Sequence, residues 1–256
     1  MLVKSVTVAR KELLDSLRDT RPLLSSVFYI LMGPGLVFML SVTRAGSDSS
    51  VITGMMSIFV LLSAFVGGMN VSMDVLAGER ERRSLLPLLM TPLTRWQVTL
   101  GKWIAIACFS TVSVLFNLAA FALVLTSAHI TMHGWHRAAV LVLSDFIPLA
   151  MLAAALELGM STVCRTTKEA HTWLSMAVFI PMGLGMFLVF FPRAAGWWIR
   201  IVPVAGQQKQ LEEWVRGDIF SGTHALLLGV MTVALTAVAL RIASKLLERD
   251  DVVYGN

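Results

Sequence analysis

Three groups of side chains in this sequence could do chemistry. Glu79, Arg80, Glu81, Arg82 and Arg83 stand in an unbroken run, in a chain of which only 14% is charged. Adjacent charges of both signs can set the register of a docked partner, or simply hold a loop in water. Asp145 and Glu157 make a second group, because both fall inside apolar runs. A carboxylate in hydrocarbon costs about 2.5–3.5 kcal/mol, so each implies a polar cavity, a helix–helix hydrogen bond or access to water. Asn70, Asp74 and Asn117 are milder cases on neighbouring apolar runs, suited to lining a pathway or joining helices. The third group is His129, His133 and His136, whose spacing invites a metal. HITMH lacks the glutamate of a zinc-hydrolase helix, and no acid or cysteine nearby completes a ligand set. These histidines are therefore expected on a surface loop. Cys108 and Cys164 are not at ligand spacing either and read as packing residues.

The elements that must position these residues are membrane spans. Hydrophobic residues make up 56% of the 256 residues, and several apolar runs reach the roughly 20 residues a spanning helix requires. The sequence predicts six spans, over 22–42, 51–76, 98–125, 138–163, 173–191 and 225–240, in one all-α membrane domain. No cleavable signal peptide and no separate soluble domain are expected. Residues 1–21 predict an amphipathic helix, with Leu2, Val6, Ala9, Leu13 and Leu17 opposite Lys4, Lys11, Asp15 and Arg18. Such a helix before a span suits the membrane interface, although a short helix packed on loops would share the pattern. Between spans five and six, Pro192 to His224 is too broken to cross, and Trp197, Trp198 and Trp214 suit an interfacial belt.

The net charge of +5 does not indicate nucleic acid. There is no basic stripe interleaved with aromatics of the kind single-strand binders use. Instead the positive charges alternate between membrane faces. Lys4, Arg10, Lys11, Arg18, Arg21, Arg80, Arg82, Arg83, Arg95, Lys102, Arg165, Lys168, Arg241, Lys245 and Arg249 share one side, leaving six of the 21 for the other. The positive-inside rule then places both termini in the cytoplasm.

The stretch AGERERRSLLPLLMTPLTRWQVTLGK carries more. Ser84 can cap a short helix, Pro87 falls in its first turn and Pro92 ends it. Glu79, Arg80, Glu81, Ser84, Leu85, Thr91, Pro92, Leu93, Gly101 and Lys102 together resemble the signature of the ABC type-2 transporter permeases. In that family the pattern runs E-R-E-x-G-T-L-E, then leucines, then T/S-P-L and G-K. Arg83 stands where the family usually has Gly, and Leu86 where it has Glu. The chain looks most like the compact members grouped with sodium-efflux permeases. CRTTKEAH, from Cys164 to His171, is similar to the family's second cytosolic loop.

The resemblance implies an elbow helix at the N-terminus and a re-entrant hairpin between spans five and six. It implies the membrane subunit of an ATP-driven exporter, paired with a second permease chain and with separate ABC ATPase subunits. ATP and Mg²⁺ would belong to that ATPase, with no cofactor in this chain and a bacterial inner membrane as the location. Glu79, Arg80, Glu81, Arg82, Arg83, Leu85, Leu88 and Leu89, supported by Lys168 and Glu169, would couple the two subunits. The sequence itself has no Gly-rich phosphate loop, so ATP hydrolysis is not expected of it. A stand-alone carrier or channel using Asp145 and Glu157 is the alternative, and a non-transporting anchor for an ATPase a third. Glu212, Glu213 and Arg216 faintly match an intramembrane-protease motif, but the spacing is one residue short and the later histidines are missing.

Overall fold

The computed structural model of the chain describes residues 2–18, 20–43, 49–90, 92–127, 140–191, 196–217 and 222–248. Among them there is helix and no strand. We number the helices α1 (Leu2–Arg18), α2 (Thr20–Thr43), α3 (Ser49–Ser72), α4 (Leu85–Leu89), α5 (Arg95–Ser127), α6 (Ile147–Val163), α7 (Thr167–Phe190), α8 (Ala205–Arg216) and α9 (Gly222–Leu246). A π-helical turn, Met73–Gly78, carries α3 on into a further turn, Glu79–Glu81; a second, Val142–Phe146, leads into α6. Among the described residues, six helical segments are long and apolar enough to cross a membrane: Leu24–Ser41, Ile52–Glu81, Arg95–Thr126, Val142–Val163, Thr167–Phe190 and Gly222–Leu246.

Two spans form the centre. The span containing α3 and the one containing α6 are each 67% buried, against 22–33% for the other four. Composition explains the ranking. α6 offers Ala150, Ala153, Ala154 and Ala155, all buried, and small side chains let several neighbours approach at once. Phe121 and Leu149 fill the space beside Val60, Leu61 and Ala64 of α3. The outer spans turn residues such as Phe28, Phe179, Leu226 and Val230 outwards, as a lipid-facing surface requires.

Helix starts follow local chemistry. Thr94 and Gln97 cap α5 reciprocally: the Thr94 N–H donates to Gln97 Oε1 at 3.0 Å, and the Gln97 N–H to Thr94 Oγ1 at 3.3 Å. Thr166 caps α7, accepting from the Glu169 N–H at 3.2 Å. Ser84 behaves differently from expectation. Its hydroxyl donates to the Glu79 carbonyl at 3.2 Å, closing the turn behind it.

α1 is helical as predicted, but another face packs on the protein. Ser5, Val8, Ala9 and Glu12 are buried, while Val3, Val6, Leu14 and Leu17 stay exposed. The cause is Gly101 of α5. A Cβ there would lie 2.6 Å from Val8 Cβ and 2.8 Å from the Ser5 carbonyl, so only glycine permits this approach. Between the last two spans lie a 3₁₀ turn, Trp197–Arg200, and α8, separated at Val204. Val204 has φ 74° and ψ −61°, the strained γ-turn conformation, directly after Pro203.

Candidate functional site

The run Glu79–Glu81 is expected in water; Glu81 stays exposed, whereas Glu79 is folded into the chain. Glu79 is only 8% exposed and Lys102 not at all. The Lys102 ammonium donates to Glu12 Oε1 at 3.0 Å and to the Val75 carbonyl at 2.6 Å. It also lies 2.8 Å from Glu79 Oε2. Two N–H bonds of the ammonium are thus donated, to α1 and to the end of the second span, and the Glu79 carboxylate adds an ion pair. Lys11 closes the group from the exposed side, 3.6 Å from Glu12 Oε1 and 3.5 Å from Glu79 Oε1. Partial burial alone would lower the Lys11 pKa, but the carboxylates of Glu12, Glu79 and Asp15 hold it above its ordinary value.

The next two residues reach different helices. Arg80 Nη2 donates to the Thr162 carbonyl at 2.7 Å and Nη1 to the Cys164 carbonyl, so a guanidinium covers the open carbonyls that end α6. Glu81 Oε2 accepts from the Thr167 N–H at 2.9 Å and from its hydroxyl at 2.8 Å, placing a carboxylate at the start of α7. Three consecutive side chains thus tie the end of the second span to α1 and α5, to α6, and to α7. Arg82 pairs with Asp74, eight residues back. Arg83, exposed, has φ 58°. The left-handed backbone explains why glycine is usual at this point of the pattern.

The other expected coupling residues separate into inner and outer ones. Leu85 is 2% exposed and packs with Leu76, Ile106 and Leu158, so it anchors α4 and offers no area to a partner. Leu88 is half-buried, Pro87 and Met90 are exposed, and the Leu89 side chain lies outside the described residues. Lys168 and Glu169 are exposed on the first turn of α7, and Glu169 Oε2 accepts from the Arg165 N–H at 2.8 Å.

Of the span residues singled out in the sequence, Asn117 and Asn70 are helix joints. Asn117 donates to the Ile30 carbonyl at 2.7 Å and Asn70 to Ser26 Oγ at 2.9 Å, both fastening α2. Glu157 lies inside the chain, against Gly68 of α3. A Cβ on Gly68 would be 2.7 Å from Glu157 Oε2 and would also strike Ser110 Oγ of α5. Among the described residues neither Glu157 oxygen has a hydrogen-bond partner, and Ser110 Oγ has none. Asp145, for which access to water is one of the expected accommodations, is instead fully buried in the π-turn before α6. The histidines 129, 133 and 136 lie outside the described residues. No group of metal-binding side chains occurs among those described. Cys108 is exposed on the bundle surface, contrary to a packing role, whereas Cys164 is buried.

The structure adds residues the sequence reading passed over. Glu12 is one; its signal was the run Ser5, Val8, Ala9, Glu12 at helical spacing. α8 supplies others. Gln207 donates to Thr232 Oγ1 at 3.0 Å, and Gln208 to the Gly185 carbonyl at 3.0 Å and to Glu212 Oε1 at 3.2 Å. Ser57 Oγ of α3 also lies 3.3 Å from Glu212 Oε1. These bonds lock α8 among three spans and account for Glu212 without catalysis.

Six helices long and apolar enough to cross a membrane, several of them joined by polar side chains, with a charged cluster at one end, are the architecture of an integral membrane protein. Comparison with known families makes this specific. The chain belongs to the ABC-2 family of transporter proteins, whose model matches residues 6–252. It is similar to the ABC transporter permease protein NatB of Bacillus subtilis strain 168, with 31% identity over 157 residues. That match covers 57% of this chain and 39% of the relative. It is also similar to the probable ABC transporter permease protein NosY of Pseudomonas aeruginosa PAO1, with 34% identity over 110 residues, 38% of this chain and 37% of that protein. The matched part thus spans about two fifths of either curated relative.

Proposed function

We propose that this chain is the permease subunit of an ATP-driven exporter, coupled to a separate ABC ATPase and paired with a second permease chain. ATP and Mg²⁺ would be held by the ATPase, and both termini would lie in the cytoplasm of a bacterial cell. The exposed apolar side chains of α1 suit an interfacial elbow, and the break at Val204 suits a re-entrant hairpin. One observation carries the coupling role: the three-way joint of Glu79, Arg80 and Glu81. A displacement of α4 would act through this joint on α1, α5, α6 and α7 together, where a flexible loop would dissipate it. The joint needs no partner to form. The ATPase contact is therefore assigned to Leu88, Met90, Arg83 and Lys168, which are at least partly exposed, together with Leu89 as the sequence pattern implies.

Buried apolar contacts dominate interface energies, whereas exposed ion pairs contribute roughly 0–1 kcal/mol. Leu88→Asp and Leu89→Asp should therefore uncouple the complex more severely than Arg82→Ala, with the permease still inserted. The test is ATPase copurification and transport for the three variants. Full assembly and normal transport in both aspartate variants would refute the assignment. A stand-alone carrier has one observation in its favour, the partnerless buried carboxylate of Glu157. It would transport without any copurifying ATPase.

A further inference from the structure

A cavity of about 850 Å³ opens beside the charged joint, walled by α1, α2, α3, α5 and α7. We propose that it binds a single-chain amphiphile with a zwitterionic head. This goes beyond the coupling role and requires only that the chain sits in a membrane.

The cavity has two chemically different ends. Asp15, Asp74, Arg82 and Lys168 line it where the joint lies, all exposed to water. Two acids and two bases give that end no formal net charge, so a lone cation or anion gains no field there. Arg82 and Asp74 already pair with each other, so a head carrying both signs would meet Asp15 and Lys168. Hydrogen-bonding groups continue the polar wall with Asn70 and Thr172.

The other end is apolar. Ile30 of α2 and Phe109, Val112 and Phe116 of α5 line it. Phe109 is seven residues beyond Lys102 and Phe116 fourteen, so at 1.5 Å per residue the apolar wall extends roughly 10–20 Å from the joint. The volume falls in the range of about 300–1,000 Å³ typical of sites for drug-sized ligands. A polar end running on into an open apolar groove, along which Val112 and Phe116 are exposed, matches an amphiphile and suits neither a bare ion nor a sugar.

The experiment uses the full chain purified in a maltoside detergent and a lysophosphatidylcholine with a diazirine in its acyl chain. Photolabelling should saturate and map to the peptides holding Ile30 and Phe109–Phe116. Unlabelled lysophosphatidylcholine should compete at about tenfold lower concentration than anionic lysophosphatidylglycerol or cationic dodecyltrimethylammonium, one charge-assisted contact being worth about that factor. Lys168→Glu leaves the mouth with an excess of two negative charges, and the cationic competitor should then become the strongest. Val112→Trp, at an exposed position on the wall, should cut labelling about tenfold while the protein remains monodisperse. Lipid mass spectrometry separates two sources. A zwitterionic lipid retained at about one per chain marks a resident lipid and one lost on dilution a passing solute, and either supports the site. Non-saturating label over all outer helices, equal competition by the three heads, or an unchanged order in Lys168→Glu would overturn it.

Discussion

At the scale of single residues, burial decides which charges matter. Lys102 is enclosed and meets two carboxylates, whereas Lys11 has a side chain 58% exposed. Removing one partner of a buried pair leaves an uncompensated charge and costs about 3–5 kcal/mol. An exposed pair contributes no more than about 1 kcal/mol. Lys102→Met should therefore abolish a cooperative melt in detergent, while Lys11→Ala shifts it by a few degrees at most. Equal shifts would show that the buried group is not what binds α1. The raised Lys11 pKa has a defined sign: its contribution is complete below the ordinary lysine value and fades only as pH rises through the higher folded one. Arg83 gives an independent test. Its left-handed backbone costs a non-glycine residue about 1–2 kcal/mol, so Arg83→Gly should raise the melting temperature and Arg83→Val lower it. None of these partnerships was legible in the sequence. Glu12 and Lys102 are 90 positions apart, and hydropathy cannot pair distant charges.

At the scale of elements, six spans and a short helix before Pro92 were legible, because each follows from local apolar length and turn chemistry. The end of the second span was not. Apolar content stops near Leu76, yet helix continues to Glu81 since its charges find partners on other elements. The N-terminal helix shows the same limit. Its apolar side chains are visible in the sequence, but a distant glycine, Gly101, chooses the face that packs. The junction of α3, α5 and α6 gives the element-scale prediction. Glu157 carries a carboxylate with no partner among the described residues, a cost of about 2.5–3.5 kcal/mol in a membrane. Glu157→Leu should therefore raise thermal stability while transport falls, and Glu157→Gln should keep more transport. Stability falling in the leucine variant would identify the carboxylate as structural glue instead. Gly68→Leu should damage both properties, because a side chain there strikes Ser110 and Glu157 together.

At the scale of the whole molecule, the charged joint orients the chain. Lys4, Lys11, Arg80, Arg82, Lys102, Arg165 and Lys168 all lie on elements that meet around Glu79–Glu81, so the cationic excess read from the sequence gathers at one end of the bundle. Placing that end in the cytoplasm puts both Lys11 and α4 where a soluble ATPase can reach them. The opposite end then holds the last turn of α5, at Ser127, and the first turn of α9, at Gly222. Single cysteines introduced into a chain lacking Cys108 and Cys164 test this directly. A membrane-impermeant maleimide added to intact cells should modify positions 130 and 219 and leave positions 83 and 168 unlabelled until the cells are lysed. Cys164 must be removed for cleanliness rather than reactivity: burial and Glu169 raise its thiol pKa, with Arg80 opposing, so it should label slowly even after lysis. Labelling of position 83 from outside would invert the bundle and with it the ATPase-facing role of α4. The joint would keep its geometry in that case, because every one of its contacts is made within the chain.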